Sequence, residues 1–257
     1  MESNSKLLKV KFMTLTNNGY IDYTLNCLKS LEQIDFSEYK LHCYVLGEDA
    51  HNILQSYGYE SILLKSDNID DTKFNKFRKG NWHNITKRKF EIIYNGLLEN
   101  EFVCFTDGDI VFQNKNFINY CLDYIQDNEL IIQNDNLLNS CIGNLCSGFM
   151  FIKSNKKTIE LFNPKNVEKY VKPGWDDQLY INSIKFILKF RMLPLELFPN
   201  GNYYYKNYEK LKPMMIHFNW IVGHEKKKKM IEHNKWYMEN DEDKNKLESH
   251  NTSKFKK

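Results

Sequence analysis

Two carboxylates interrupt an apolar run in FTDGDIVF, where Asp107 and Asp109 flank Gly108. Unpaired charges beside a buried strand are costly, so the pair calls for a counter-charge. At the end of an extended segment, residues i and i+2 point to one side with Cα atoms roughly 6.5 to 7 Å apart, and two carboxylates so placed can share a divalent ion. Gly108 between them lets the backbone bend and lets a ligand approach closely. The pattern alone is cheap: Asp241-Glu242-Asp243 repeats it in a charged C-terminal stretch, where solvation explains it. The apolar FVCFT before and IVF after the first copy separate it from a solvated turn. An EF-hand loop is excluded, because Ile110, Val111 and Phe112 follow where further oxygen ligands and a glycine are needed. A glycosidase pair is excluded too, since acid and nucleophile stand on opposite sides of the bond rather than at i and i+2 of one strand.

A second cluster lies in MIHFNWIVGHEKKKKMIEHNKW, residues 215 to 236. His217 ends a strand, Gly223 opens a turn, and Lys226 to Lys229 begin a helix. A single histidine is usually structural and a lysine run is usually a solvated face. Together they offer an imidazole for a metal, and backbone N–H groups with ammonium charges for a diphosphate. A third stretch, GWDDQLYIN, sets Asp176, Asp177 and Gln178 at a helix start, where Asp176 can equally be a helix cap.

The elements that must hold these residues alternate. Strands at 7 to 15, 39 to 46, 60 to 65 and 101 to 106 are expected between helices at 20 to 34, 50 to 56 and 86 to 98. Near-continuous apolar strands in that order imply an α/β fold, a Rossmann-like and mainly parallel sheet covered on both faces. Asp107 and Asp109 then sit beyond the carboxyl end of a strand, where open α/β sheets gather ligands. Further strands at 129 to 133, 148 to 153, 191 to 197 and 214 to 218, with helices near 154 to 162 and 177 to 189, are expected to extend the same sheet as a mixed one. One domain over 1 to 236 and a charged, flexible tail over 237 to 257 are expected, since no Gly/Ser-rich linker divides the chain.

The 257 residues carry 36 basic and 33 acidic side chains, a balance that gives no argument for nucleic acid or a membrane surface. Lys9 and Lys11 break the apolar N-terminal stretch, and no run reaches the roughly 18 apolar residues of a membrane span, so a cytoplasmic placement is expected. The six cysteines form no CxxC pair, and most sit within apolar or strand-like segments, where they read as buried free thiols. Asn84-Ile85-Thr86 and Asn251-Thr252-Ser253 match glycosylation acceptors, which without a secretion route read as chance matches.

In their order, TNNGY, KFEIIYNGLLENEFVCFTDGDIVF, CSGFMFIK, WDDQLYIN, FPNGNYY and IHFNWIVGHEKK resemble the nucleotide-diphospho-sugar transferase family of GT-A-fold glycosyltransferases, over roughly residues 7 to 236. The resemblance implies that Asp107 and Asp109 hold Mn²⁺ or Mg²⁺ against the diphosphate of a nucleotide-sugar donor, with His217 as a further ligand. It implies that Gly223 and Lys227 form a G-x-x-x-K contact to that diphosphate, with Lys226 as the alternative in another register. Thr16, Asn17 and Tyr20 match the loop that holds the nucleotide. Lys89, eighteen positions before Asp107, matches a basic residue facing the donor, with Arg88 as a neighbour. Ser147 and Gly148 match a turn that lets the sugar sit against backbone. Gln133 and Asp135 match positions for sugar or acceptor hydroxyls, and Asp177 with Gln178 matches a pair near the reacting carbon.

By this resemblance the donor is UDP-linked, the anomeric configuration is retained, and the acceptor is a glycan, a protein or a small molecule. The acceptor surface is expected from the loop at 65 to 84, with Trp82, and from residues 198 to 208. Two other classes share such a sheet. A sugar-nucleotide-forming nucleotidyltransferase would need a glycine-rich loop near the first strand, which TLTNNGY lacks, and a non-catalytic relative would lose metal ligands that are present here.

Overall fold

The computed structural model describes residues 9–65, 72–73, 82–172 and 174–238. Strands β1 (Val10–Asn17), β2 (Leu41–Leu46) and β3 (Ser61–Leu63) are joined through helices α1 (Ile21–Gln33) and α2 (Glu48–Ser56). Helix α3 (Trp82–Glu99) leads into β4 (Phe102–Thr106), which pairs parallel with β1. A short strand β5 (Ile110–Phe112) and helix α4 (Phe117–Ile125) follow, then β6 (Leu130–Asn134) and β7 (Leu145–Lys153). Helices α5 (Lys156–Phe162), α6 (Pro164–Tyr170) and α7 (Asp177–Ile184) precede β8 (Phe190–Leu193), and α8 (Gly201–Asn207), β9 (Met215–His217) and α9 (His224–Glu232) complete the order.

The main sheet runs β3-β2-β1-β4-β7-β6-β8. β7 is antiparallel to both its neighbours, and every other pairing in the sheet is parallel. The expected mixed, mainly parallel sheet is therefore present. One strand departs from it: β9 pairs antiparallel with β5 in a separate two-stranded ribbon. The tight turn after β4 swings the chain off the sheet, and the three residues of β5 then need a partner for their backbone groups.

Residues alternate between the two faces of the sheet. Phe12, Cys104 and Phe151 enter one core beneath α1, α2 and α4, whereas Met13, Phe105 and Ile152 enter the other beneath α3 and α7. Burial on both faces explains why these strands read as continuous apolar runs. The ribbon belongs to the first core, where Phe112 stacks on Phe117 at 4.3 Å and meets Phe12 edge-on at 5.7 Å.

Some boundaries differ from expectation. The strand expected over 191 to 197 stops at Leu193, before Pro194, which has no N–H to continue a ladder. The helix expected to 189 ends at Ile184, and the Lys185 side chain just beyond it donates to the carbonyls of Ile142 and Gly143. Helices α4, α6 and α8 were not expected; α6 and α8 are seven-residue pieces, about two turns each, fixed by the caps Asn163 and Asn200. Packing continues two residues past Trp236: Met238 is buried and Tyr237 N–H donates to Asn26 Oδ1 at 2.6 Å. Residues 239–257, including Asp241-Glu242-Asp243, lie outside the described residues.

Candidate active site

Asp107, Gly108 and Asp109 form the whole link between β4 and β5. They turn rather than extend, with Ile110 N–H donating to Asp107 O at 3.4 Å, so the turn and not strand alternation brings the carboxylates together. Gly108 is required by close approach: a Cβ there would lie 2.4 Å from Thr24 Oγ1 on α1.

The ribbon supplies the histidine. β9 pairs with β5 so that His217 lies opposite Ile110, and Phe218 N–H donates to Asp109 O at 3.1 Å. His217 Nε2 is then 3.1 Å from Asp109 Oδ1, and one ligand atom each from Asp107, Asp109 and His217 all lie within 4.8 Å of one another. Gln133 fixes the ring. Its amide nitrogen donates to the carbonyls of Phe198 and Pro199 at 3.3 and 3.0 Å, so its oxygen faces His217 Nδ1 at 2.6 Å. Nδ1 therefore carries a proton and donates, so a cation that takes the place of a proton on Nε2, beside Asp109, would meet that nitrogen's lone pair, as metal-binding histidines require.

The set fits a divalent ion. Two carboxylates and one imidazole suit Mn²⁺ or Mg²⁺, and the space beside them is kept by Gly148, whose Cβ would fall 2.3 Å from His217 Cε1 and 2.8 Å from Asp107 Oδ2. That is a correction to the expected role of Gly148: it lies inside β7, where it makes room for ligand side chains instead of for a sugar. Gln133 is corrected likewise, being fully buried and spent on His217 and two carbonyls.

Two lysines hold the two aspartates. Lys89 on α3 donates to Asp107 Oδ1 at 3.0 Å and to Ser147 O at 3.2 Å, and also pairs with Asp177. Burial would lower its pKa, but the two carboxylates hold it above the ordinary lysine value. Lys226 on α9 pairs with Asp109 Oδ2. Burial opposes ionisation of Asp109, yet Lys226 and His217 hold its carboxyl well below the usual range. At Asp107 burial prevails over Lys89, and the nearby Asp109 adds to the rise.

These groups line one cavity of about 560 Å³. Thr16, Asn17 and Tyr20 reach it from the end of β1, Lys89 from α3, and Asp135, Ser147, Asp176, Asp177 and Gln178 from the far side. Thr24 Oγ1 donates to Thr16 Oγ1 at 2.8 Å, and Asn17 Oδ1 accepts from Gly19 N–H at 3.0 Å. Asp176 is also the cap of α7, accepting from Leu179 N–H at 2.8 Å. Asp177 Oδ2 accepts from Ser147 Oγ at 2.7 Å.

Four expected residues stand outside the cavity wall: Gln133, Gly148, Gly223 and Lys227. Gly223 takes φ 59° at the start of α9, a conformation glycine adopts without strain, and so sets the direction of that helix. The expected G-x-x-x-K register is corrected, because Lys227 points away and lies over the Trp236 ring at 4.5 Å, whereas Lys226 lines the cavity. One helical step of about 100° separates the two side chains. Arg88 instead pairs with Glu91 at 2.9 Å.

Sequence reasoning missed the network around Asp135. Its carboxylate accepts from Gln178 Nε2 at 3.0 Å, Asn144 Nδ2 at 2.8 Å, Trp220 Nε1 at 2.9 Å and Asn219 Nδ2 at 3.3 Å. Burial pushes this carboxyl up, and the donors partly offset it. Trp220 takes φ 66°, unusual for an aromatic residue, and lines the cavity. Its signal was an aromatic side chain between His217 and Gly223. Of the expected acceptor segments, 198–208 does not reach the cavity, with Asn200 donating to the carbonyls of Asn134 and Asn136. Residues 66–71 and 74–81 lie outside the described residues, as does the Trp82 side chain.

The family model described as nucleotide-diphospho-sugar transferase matches residues 44–231. The chain belongs to that family. The match spans β2 to α9 and so includes both aspartates, His217 and Lys226. Among curated proteins, the UDP-galactose:fucoside alpha-3-galactosyltransferase of Dictyostelium discoideum is 27% identical over 267 residues, covering 83% of this chain. The chain spans only 41% of that relative's length. Among solved structures, galactosyltransferase LgtC, in complex with donor and acceptor sugar analogues, matches with a TM-score of 0.59 at 14% identity, covering 91% of this chain and 99% of that one. Mouse xyloside xylosyltransferase 1 matches with a TM-score of 0.54 at 10% identity, over 83% of this chain and 100% of that one. The transferase family chain thus has the GT-A fold. Among its described residues, no helix is long and apolar enough to cross a membrane.

Proposed function

We propose that the protein transfers a sugar from a UDP-linked donor to an acceptor hydroxyl, using Mn²⁺ or Mg²⁺ and retaining the anomeric configuration. The observation that carries this reading is the convergence of Asp107, Asp109 and His217 on one wall of the cavity, with ligand atoms within 4.8 Å of one another. Bound there, a divalent ion would supply positive charge against the leaving diphosphate.

The chain's own groups divide the remaining work. Thr16, Asn17 and Tyr20, at the end of β1, hold the nucleotide. Lys226 contributes a second positive charge toward the diphosphate. Lys89 and Ser147 Oγ both engage Asp177, which fixes its carboxylate in the wall opposite. Gln178 gives its amide nitrogen to Asp135, which turns its carbonyl oxygen away from that carboxylate. A fixed carboxylate and a carbonyl dipole suit the positive charge that grows on a sugar ring as its bond to phosphate breaks. In the retaining reaction the acceptor oxygen bonds to the anomeric carbon on the face the diphosphate leaves. The carbon–oxygen bond to phosphate breaks, and the hydroxyl proton passes to the departing diphosphate. The relative's name puts UDP-galactose first among donors to try.

The test is a panel of UDP-galactose, UDP-glucose and UDP-xylose, followed by release of UDP without acceptor. Slow release with Mn²⁺ or Mg²⁺, abolished by EDTA, is the expected outcome. Absence of donor binding in the presence of either metal would overturn the reading.

A further inference from the structure

Lys226 occupies an unusual place for a phosphate-binding lysine. Its ammonium is paired with Asp109 Oδ2 while His217 Nε2 faces the other oxygen at 3.1 Å. The side chain is buried, and Nζ lies 5.6 Å from the Tyr23 ring centre. Tyr23 OH in turn donates to Gly223 O at 2.9 Å, which fixes the backbone just before α9. Lys226 is thus held on the same carboxylate that belongs to the cation-binding set.

Charge gives this arrangement a direction. Five aspartates and two lysines line the cavity among the described residues, so the wall is strongly acidic before any cation or donor arrives. A divalent ion on Asp109 and an ammonium on the same carboxylate repel each other at close range. A donor diphosphate reverses that preference, since it offers the ammonium oxygens that the metal leaves it without. Lys226 is in the first turn of α9, and its four-carbon stem can move the ammonium several ångströms without moving the helix.

We propose that Lys226 is the resident counter-ion of Asp109, that a divalent ion displaces it, and that the displaced ammonium turns onto the donor diphosphate. Metal and diphosphate then bind in a favoured order, because the metal releases the group that completes the diphosphate site. This rests on the metal-dependent reading above, and it adds that the lysine competes with the metal in the absence of nucleotide.

The experiment measures Mn²⁺ binding to the full chain by the electron paramagnetic resonance signal of free Mn²⁺, without nucleotide, for wild type, Lys226→Met and Lys226→Arg. Lys226→Met is expected to bind Mn²⁺ about tenfold more tightly, and Lys226→Arg to stay near wild type. In Mn²⁺-saturated protein, UDP affinity measured by calorimetry is expected to fall about tenfold in Lys226→Met. Lys226→Gln serves if the methionine variant does not fold. Equal or weaker Mn²⁺ binding in the neutral variants would overturn the counter-ion role alone. Unchanged UDP affinity would overturn the turn onto the diphosphate. Wild-type protein that binds no Mn²⁺ even with UDP present would instead overturn the metal-dependent reading itself.

Discussion

The two sides of the aspartate turn are built differently. On the Asp107 side, Lys89 comes from the helix that immediately precedes β4, eighteen residues away, and bridges to Asp177 at the start of α7 and to Ser147 on β7. On the Asp109 side, His217 and Lys226 arrive from 108 and 117 residues downstream, carried by a three-residue ribbon strand and the start of α9. The first side is a buried ionic cluster within the main sheet's framework. The second is a buried cluster whose parts meet only because one short strand finds its partner. The first side fixes Asp177 and Asp107 through local framework contacts, and the second depends on contacts between distant parts of the chain.

That division can be broken most severely at Asp109. Asp109→Ala is expected to lower turnover by about 10²- to 10³-fold and to weaken Mn²⁺ binding, with the fold retained by circular dichroism. Turnover that survived would move the chemistry to the Asp107 side. Lys89→Met tests the first side. It leaves Asp177 and the partly exposed Asp107 without their shared cation, and a loss of about 3 kcal/mol in urea unfolding at pH 7 is expected. A stability loss under about 1 kcal/mol would mean that solvent already screens the cluster.

Gln133 sharpens the second side. Gln133→Leu removes the acceptor that fixes the proton on His217 Nδ1, and Mn²⁺ affinity should fall about 10- to 100-fold. Restoration by Gln133→Glu, which keeps an oxygen toward Nδ1, would separate ring orientation from simple packing loss. Lys227→Ala is the smallest expected change: loss of the contact with Trp236 should cost about 0.5 kcal/mol in a thermal melt and leave UDP affinity unaltered. A clear drop in UDP affinity would return the diphosphate contact to Lys227.

Much of the sheet was legible because its strands are buried on both faces, so Val10–Asn17 and Phe102–Thr106 carry apolar runs that need no partner to be recognised. Asp107 and Asp109 were legible for the same reason, as charges that a buried strand does not tolerate without a purpose. The ribbon was not. IVF and MIH are too short to distinguish from sheet strands, and nothing local in either names the other as its partner. Lys226 and Lys227 are adjacent and chemically identical, so only the rotation of α9 separates a cavity lysine from one lying on Trp236. Gln133 and Gly148 were noticed for the wrong work, because a polar residue and a glycine in a strand look the same whether they face a ligand or support the groups that do.

By itself the sequence determined the alternating strands and helices, the position of the aspartate pair at a strand end, and the set of side chains able to serve a metal and a diphosphate. Those properties follow from periodicity and from the cost of burying charge, both of which act over a few residues. Only the tertiary structure decided that the aspartates meet through a turn, that Gln133 sets the His217 tautomer, and that Asp109 is shared between His217 and Lys226. Each of these depends on a contact between elements far apart in the chain, and hydrogen bonds and ion pairs take their direction from the packing that brings those elements together.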